Sequence, residues 1–88
     1  MSEKVPTPPR DIRAIVVFLA TQAMIHFGEI PDPVGGEKRL NLEGGHLFLD
    51  LLGELQRKTV GNLTATEDEF LKDVLTNLTT VAGKHRGH

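Results

Sequence analysis

Glu43, His46, Asp50 and Glu54 succeed one another at intervals of three, four and four residues. On a helix those intervals stack the four side chains along one polar face. Carboxylates interleaved with imidazole can hold a divalent metal. A Glu-x-x-His pair on facing helices is part of the ligand set of carboxylate di-metal bundles. Two copies of this segment meeting at an axis would bring several carboxylates and two histidines together. Two features argue against that chemistry. The Glu43–His46 pair straddles Gly44 and Gly45, and the nearest further carboxylate, Glu29, falls beyond the end of the preceding apolar segment. A charged stripe opposite an apolar face is also the ordinary solvated side of a helix. The four residues stand as a secondary candidate metal site, and no cofactor is assigned.

Composition closes off other chemistries. The chain has no cysteine, and its single serine is Ser2. Thiolate nucleophiles, disulfides and zinc–thiolate sites are thereby excluded. The glycine pairs at 35–36 and 44–45 are not followed by the Gly-Lys-Ser/Thr of a phosphate loop. His85 and His88 lie near the C-terminus, where adventitious metal capture is the plain reading. His26 sits in an apolar segment and reads as a helix-end or interface histidine. No catalytic constellation is visible, and the chain is expected not to be an enzyme.

A second polar cluster occupies "KTVGNLTATEDEF", residues 58–70. Lys58, Thr59, Gly61, Asn62, Thr64 and Glu67 could display a docking corner in fixed geometry. Most of them also have a local structural role. Arg57 and Lys58 suit the negative end of a helix dipole, and Gly61 can take the left-handed conformation that closes a helix. Thr64 and Glu67 have the spacing of a capping box. The structural reading is therefore favoured, with docking as the functional alternative.

Three helices must position these residues. Ile12, Ile15, Val16, Leu19, Ala23 and Phe27 recur at helical period, so a first helix starts near Asp11 and ends near Gly28. Val17, Phe18, Met24 and Ile25 fall elsewhere on the same helix. A helix that is apolar nearly all round is a buried one. Residues 29–39 carry two prolines and two glycines and read as a loop. Asn41 is a candidate N-cap for a second helix. There Gly44, Leu47, Phe48, Leu51, Leu52, Leu55 and Thr59 share one broad face, and Gly45, Leu49, Gly53, Gln56 and Val60 share another. Helical glycine costs about 1 kcal/mol relative to alanine, so Gly44, Gly45 and Gly53 need a reason. Either another helix approaches closely or the first turn frays. The third helix carries a single stripe of Phe70, Leu71, Val74, Leu75, Leu78, Val81 and Ala82. The short connection between the second and third helices suits an antiparallel hairpin.

The segment Leu49-Asp50-Leu51-Leu52, Leu55, "KTVGNLT" and Glu67, preceded by "FGEIPDPVGG", resembles a family of small bacterial proteins with a K-T-x-G-N-L-T-x-x-E signature, the domain of unknown function 1844. The resemblance spans roughly residues 12–82. It implies a bacterial, cytoplasmic, all-helical protein and carries no activity with it. The sequence departs from the pattern at "EGG", 43–45, which puts the first turn of the second helix in question.

Totals bear on partners. Eighty-eight residues form one domain, read as 10–83 between a disordered tail at 1–9 and a frayed one at 84–88. A domain this small buries only about 60–65% of its unfolded surface, and many such domains gain stability from staples or partners. Without cysteine, self-association is the leading route. Two helices of the same chain cannot cover the first helix on every side. An oligomer interface is therefore expected at Val17, Phe18, Met24, Ile25, Gly45, Leu49 and Gly53. The expected fold is an all-α, three-helix protein with a buried first helix that forms a homodimer or higher oligomer. Another protein is the second occupant considered. The net charge of −2 does not favour nucleic acid. An RNA- or ribosome-associated role is the alternative, should Arg10, Arg13, Lys38, Arg39, Arg57, Lys58, Lys84 and Arg86 gather locally. The longest apolar run, 14–25, falls short of the roughly 20 residues that cross a bilayer, and no membrane partner is expected.

Overall fold

The fold is seen in a computed structural model that describes residues 10–33, 35–36 and 40–85. The tail expected at 1–9, the end of the C-terminal tail from Arg86, and the loop residues Lys38 and Arg39 lie outside the described residues. Three helices form in chain order: α1 (Ile12–His26), α2 (Leu42–Lys58) and α3 (Ala65–Lys84).

Each helix begins on a side-chain oxygen. The Asp11 carboxylate accepts from the Arg13 amide at 2.9 Å, and Asn41 Oδ1 accepts from the Gly44 amide at 3.0 Å. At α3 the capping box is complete. Thr64 Oγ1 accepts from the Glu67 amide at 3.1 Å, and Glu67 Oε1 accepts from the Thr64 amide at 2.8 Å. Such caps satisfy amides that the helix itself leaves unpaired. The end of α1 is a Schellman turn: the Glu29 amide donates to Met24 O at 2.9 Å and the Gly28 amide to Ile25 O at 3.0 Å. Gly28 carries the φ of 78° that this turn requires.

Contacts at the helix ends fix the arrangement. The Asn41 amide donates to His26 O at 2.7 Å, so α2 starts where α1 stops. The Ile12 amide donates to Glu67 Oε2 at 3.4 Å, which sets the start of α1 beside the start of α3. At the far end the rings of Phe27 and His85 stack with centroids 6.0 Å apart. Thus α1 and α3 run the same way, and α1 packs most extensively on α2. The shared core is small: Val16, Ala23 and Phe27 from α1 and its cap, Leu52 from α2, and Leu71, Leu78, Val81 and Ala82 from α3.

Two of the three glycines in α2 are explained by close approach. A Cβ on Gly45 would lie 2.6 Å from Phe27 Cε1, and one on Gly44 would collide with the His26 ring. The end of α1 therefore lies directly on the first turns of α2, which are regular from Leu42. The alternative of a frayed first turn is not what the chain adopts. At Gly53 the surroundings are open, the nearest atom being the tip of Arg57 at 3.9 Å.

Two expectations about faces need correction. Ile15, which shares the helical period of buried Val16 and Ala23, is 51% exposed, and Leu47 and Leu51 are exposed although they share a face with buried Leu52. Nor is α1 buried all round: Val17 and Phe18 are exposed as well as Ile15. The reason is geometric. With α2 on one flank and α3 on the other, a three-helix packing covers little more than half of any helix. The radius of gyration, 14.3 Å, exceeds the roughly 12 Å of a compact domain of this length.

Candidate interaction surface

Successive residues on a helix turn by about 100°, which orders the exposed apolar side chains. Taking buried Val16 as the inner line of α1, Leu19 and His26 fall on one flank. His26 identifies that flank as the α2 side, since its ring lies over Gly44 and meets Phe48 at 5.3 Å. Ile15, Gln22 and Phe18 follow as the helix turns outward from that flank. On α2, with Leu52 innermost, Gly44 and Phe48 face α1, and Leu51 and Leu47 follow outward from them. Ile15 and Phe18 of α1 and Leu47 and Leu51 of α2 therefore border the outer side of the same seam, away from α3. All four are exposed. From Ala14 to Gly28 the chain has no Asp, Glu, Lys or Arg, and none interrupts residues 44–49. The result is an apolar face along the α1–α2 seam, uncharged over residues 14–28 and 44–49 and bordered by Glu54 and Lys58 toward the end of α2.

The residues expected at an oligomer interface are distributed differently from one another. Val17 and Phe18 are open to solvent. Ile25 and Gly45 are already covered within the chain, Gly45 by Phe27. Met24 and Leu49 pack on the edge of the core. Gly53 and Leu49 line a groove against Leu75 and Thr79 of α3. Sequence reasoning missed Ile15, Leu47 and Leu51 as surface residues. Their signal was the doubling of apolar faces on both helices, which exceeds what a three-helix core can absorb.

The polar candidates are held by local contacts. Glu54 accepts from Arg57 and lies 3.2 Å from Lys58 Nζ. Those two partners, Arg57 first, hold its carboxyl below the usual carboxylate range. The His46 and Phe27 rings meet nearly perpendicular, with centroids 5.4 Å apart. Glu43 and Asp50 are exposed. Among the described residues no three His, Asp or Glu side chains come together as a metal site. His26 donates through Nδ1 to Gln22 O at 2.8 Å, closing the last turn of α1. His85 is stacked on Phe27 with its Nε2 buried and unpartnered.

At the corner, Thr59 Oγ1 donates to Leu55 O at 2.7 Å, Gly61 takes a φ of 83°, and Thr64 and Glu67 form the capping box. Lys58 and Asn62 are exposed. Beside them lies an open cleft of about 490 Å³, bordered by Gln56, Thr59, Leu63 and Lys72, with Val60 75% exposed at its rim. Several cations from the suggested basic group have acidic neighbours. Arg13 pairs with Asp11 at 2.9 Å, Arg57 and Lys58 pair with Glu54, and Lys84 lies 3.9 Å from Glu29. Among the described residues no helix is long and apolar enough to cross a membrane.

The family model of a domain of unknown function, DUF1844, matches residues 9–81, and the chain belongs to that family. Comparisons with curated proteins and with solved structures give no match.

Proposed function

We propose that this member of the domain of unknown function 1844 family is a non-enzymatic, self-associating module of the bacterial cytoplasm that acts through protein contacts, in a structural or regulatory role. One observation carries the reading. Four large apolar side chains border a seam, uncharged over residues 14–28 and 44–49, on the side of α1 and α2 that α3 leaves open. Contiguous exposed apolar surface of this kind marks association sites in soluble proteins. The frame that presents it is the antiparallel hairpin of α2 and α3, closed by the Thr64–Glu67 box, with α1 laid against it. The RNA-associated alternative has less support, because Arg13, Arg57, Lys58 and Lys84 already have carboxylate neighbours.

The test is solution mass by light scattering on untagged protein, diluted into the low micromolar range. The expected result is a mass at least twice the 9.7 kDa of one chain. A well-folded species of single-chain mass throughout the series would overturn the reading.

A further inference from the structure

We infer that the α1–α2 seam is a two-fold interface whose occupant is a second copy of this chain, with α2 lying antiparallel to α2 of the other copy. This rests on the self-association proposed above and assigns it a face and a direction.

Area is the first argument. At the exposures found for Ile15, Phe18, Leu47 and Leu51, these four side chains present roughly 400 Å² per copy, about half of the ~800 Å² per partner in a standard interface. Gln22, Leu19, Phe48 and Leu55 border the same seam and supply further area on closure. The patch has the composition of an interface core, aromatic and aliphatic at its centre, with charge from Glu54 and Lys58 confined to its end.

Charge supplies the direction. The open side of α2 begins with Glu43, carries Asp50 near its middle, and ends with Arg57 and Lys58, which together outweigh their shared partner Glu54 by one positive charge. A two-fold axis passing near Leu51 pairs two antiparallel α2 helices. It sets Leu47 of each copy beside Leu55 of the other, and the acidic start of each helix beside the basic end of the other. A parallel arrangement would set like charges together at both ends. Antiparallel packing also opposes the two helix dipoles. Each copy then contributes an α1–α2 pair to a central four-helix layer, with α3 on the outside.

Phe18→Glu and Leu51→Cys test the assignment, with Val60→Glu and Val60→Cys as controls at an exposed apolar site off the seam. Phe18→Glu is expected to weaken the dimer about 100-fold, with the helical circular dichroism retained. Val60→Glu should leave the mass unchanged. The chain has no cysteine of its own. Oxidised Leu51→Cys should therefore run as a covalent dimer, and Val60→Cys should not. Lys58→Glu should loosen the dimer, and adding Glu43→Lys should restore it. A wild-type dimer that survives Phe18→Glu, or that cross-links no better through Leu51→Cys than through Val60→Cys, overturns this face and leaves self-association standing. A monomeric wild type overturns both.

Discussion

Substituting alanine at Gly45 and at Gly53 should move stability in opposite directions, although both lie in α2. At Gly45 the new Cβ would sit 2.6, 2.7 and 2.8 Å from three carbons of the Phe27 ring. Carbon atoms in contact prefer about 3.5–4.0 Å, so the ring must retreat by about 1 Å. Phe27 is 1% exposed and is flanked by the rings of His46 and His85. It has little room to retreat, so the cost falls in the upper part of the usual overpacking range, about 2–3 kcal/mol. Alanine returns up to about 1 kcal/mol of helix propensity. The net expectation for Gly45→Ala is a loss of about 1–2 kcal/mol. At Gly53 only the flexible tip of Arg57 lies near, at 3.9 Å, so the propensity gain of up to about 1 kcal/mol stands alone. For a domain of this length 1 kcal/mol is worth about 5 °C in Tm. The two variants should therefore bracket the wild type, separated by about 10–15 °C. Circular dichroism at 222 nm against temperature and urea reads this directly. Protein concentration must be matched, because association makes Tm concentration-dependent. A Gly45→Ala variant as stable as wild type would refute the close approach of α1 to α2 on which the fold's explanation rests.

Two further outcomes concern the ends of the helices. Thr64→Ala should cost about 1 kcal/mol in urea denaturation, and Glu67→Ala should cost more, since that carboxylate accepts from both the Thr64 and Ile12 amides; equal losses would discount the bond to α1. In acid, Asp11 is held below the usual carboxylate range by the Arg13 side chain and then the Arg13 amide, and Glu54 by Arg57 and then Lys58. Lowered values in the fold mean a contribution that is complete above the ordinary carboxylate range and lost as pH falls through the lowered values. Asp11→Asn and Glu54→Gln should therefore flatten the decline of Tm below about pH 4, and an unchanged decline would count against both pairs.

The local signals read best. Asn41, Thr64 and Glu67 act through bonds spanning three residues, so their neighbours in sequence suffice to identify them. The stripe of α3 was also legible, because a single apolar face leaves one way to turn the helix. On α1 that logic failed. With apolar residues on nearly every side, periodicity could not say that Ile15 faces out while Met24 packs inward. Likewise, a glycine's neighbours in sequence do not reveal what lies over it. His26 and Phe27 reach Gly44 and Gly45 only because the intervening loop returns the chain to the end of α1. The exposed seam is half visible: Phe18 is expected at an interface, whereas Leu47 and Leu51 share one broad face with Leu52 and nothing in the pattern says which of them stays uncovered.

Glu67 also sets an order of events. Its carboxylate binds one amide three residues away and another 55 residues away. The near bond forms as soon as the α2–α3 corner turns, while the far one must wait for a long loop to close. The carboxylate thus behaves as a latch that is cocked early and catches α1 last. Losing the hydroxyl half of the capping box through Thr64→Ala, which leaves both carboxylate bonds in place, should slow folding, whereas losing the bond to the Ile12 amide should chiefly speed unfolding. Glu67→Ala loses the near and the far bond together, so in stopped-flow it should slow folding as Thr64→Ala does and in addition speed unfolding; identical rate changes in the two variants would contradict the sequence. When the latch slips, the segment released is the uncharged run from Ala14 to Gly28, the stickiest stretch of the chain. A second copy seated on that run would hold it down from outside, so that pairing and internal closure guard the same helix.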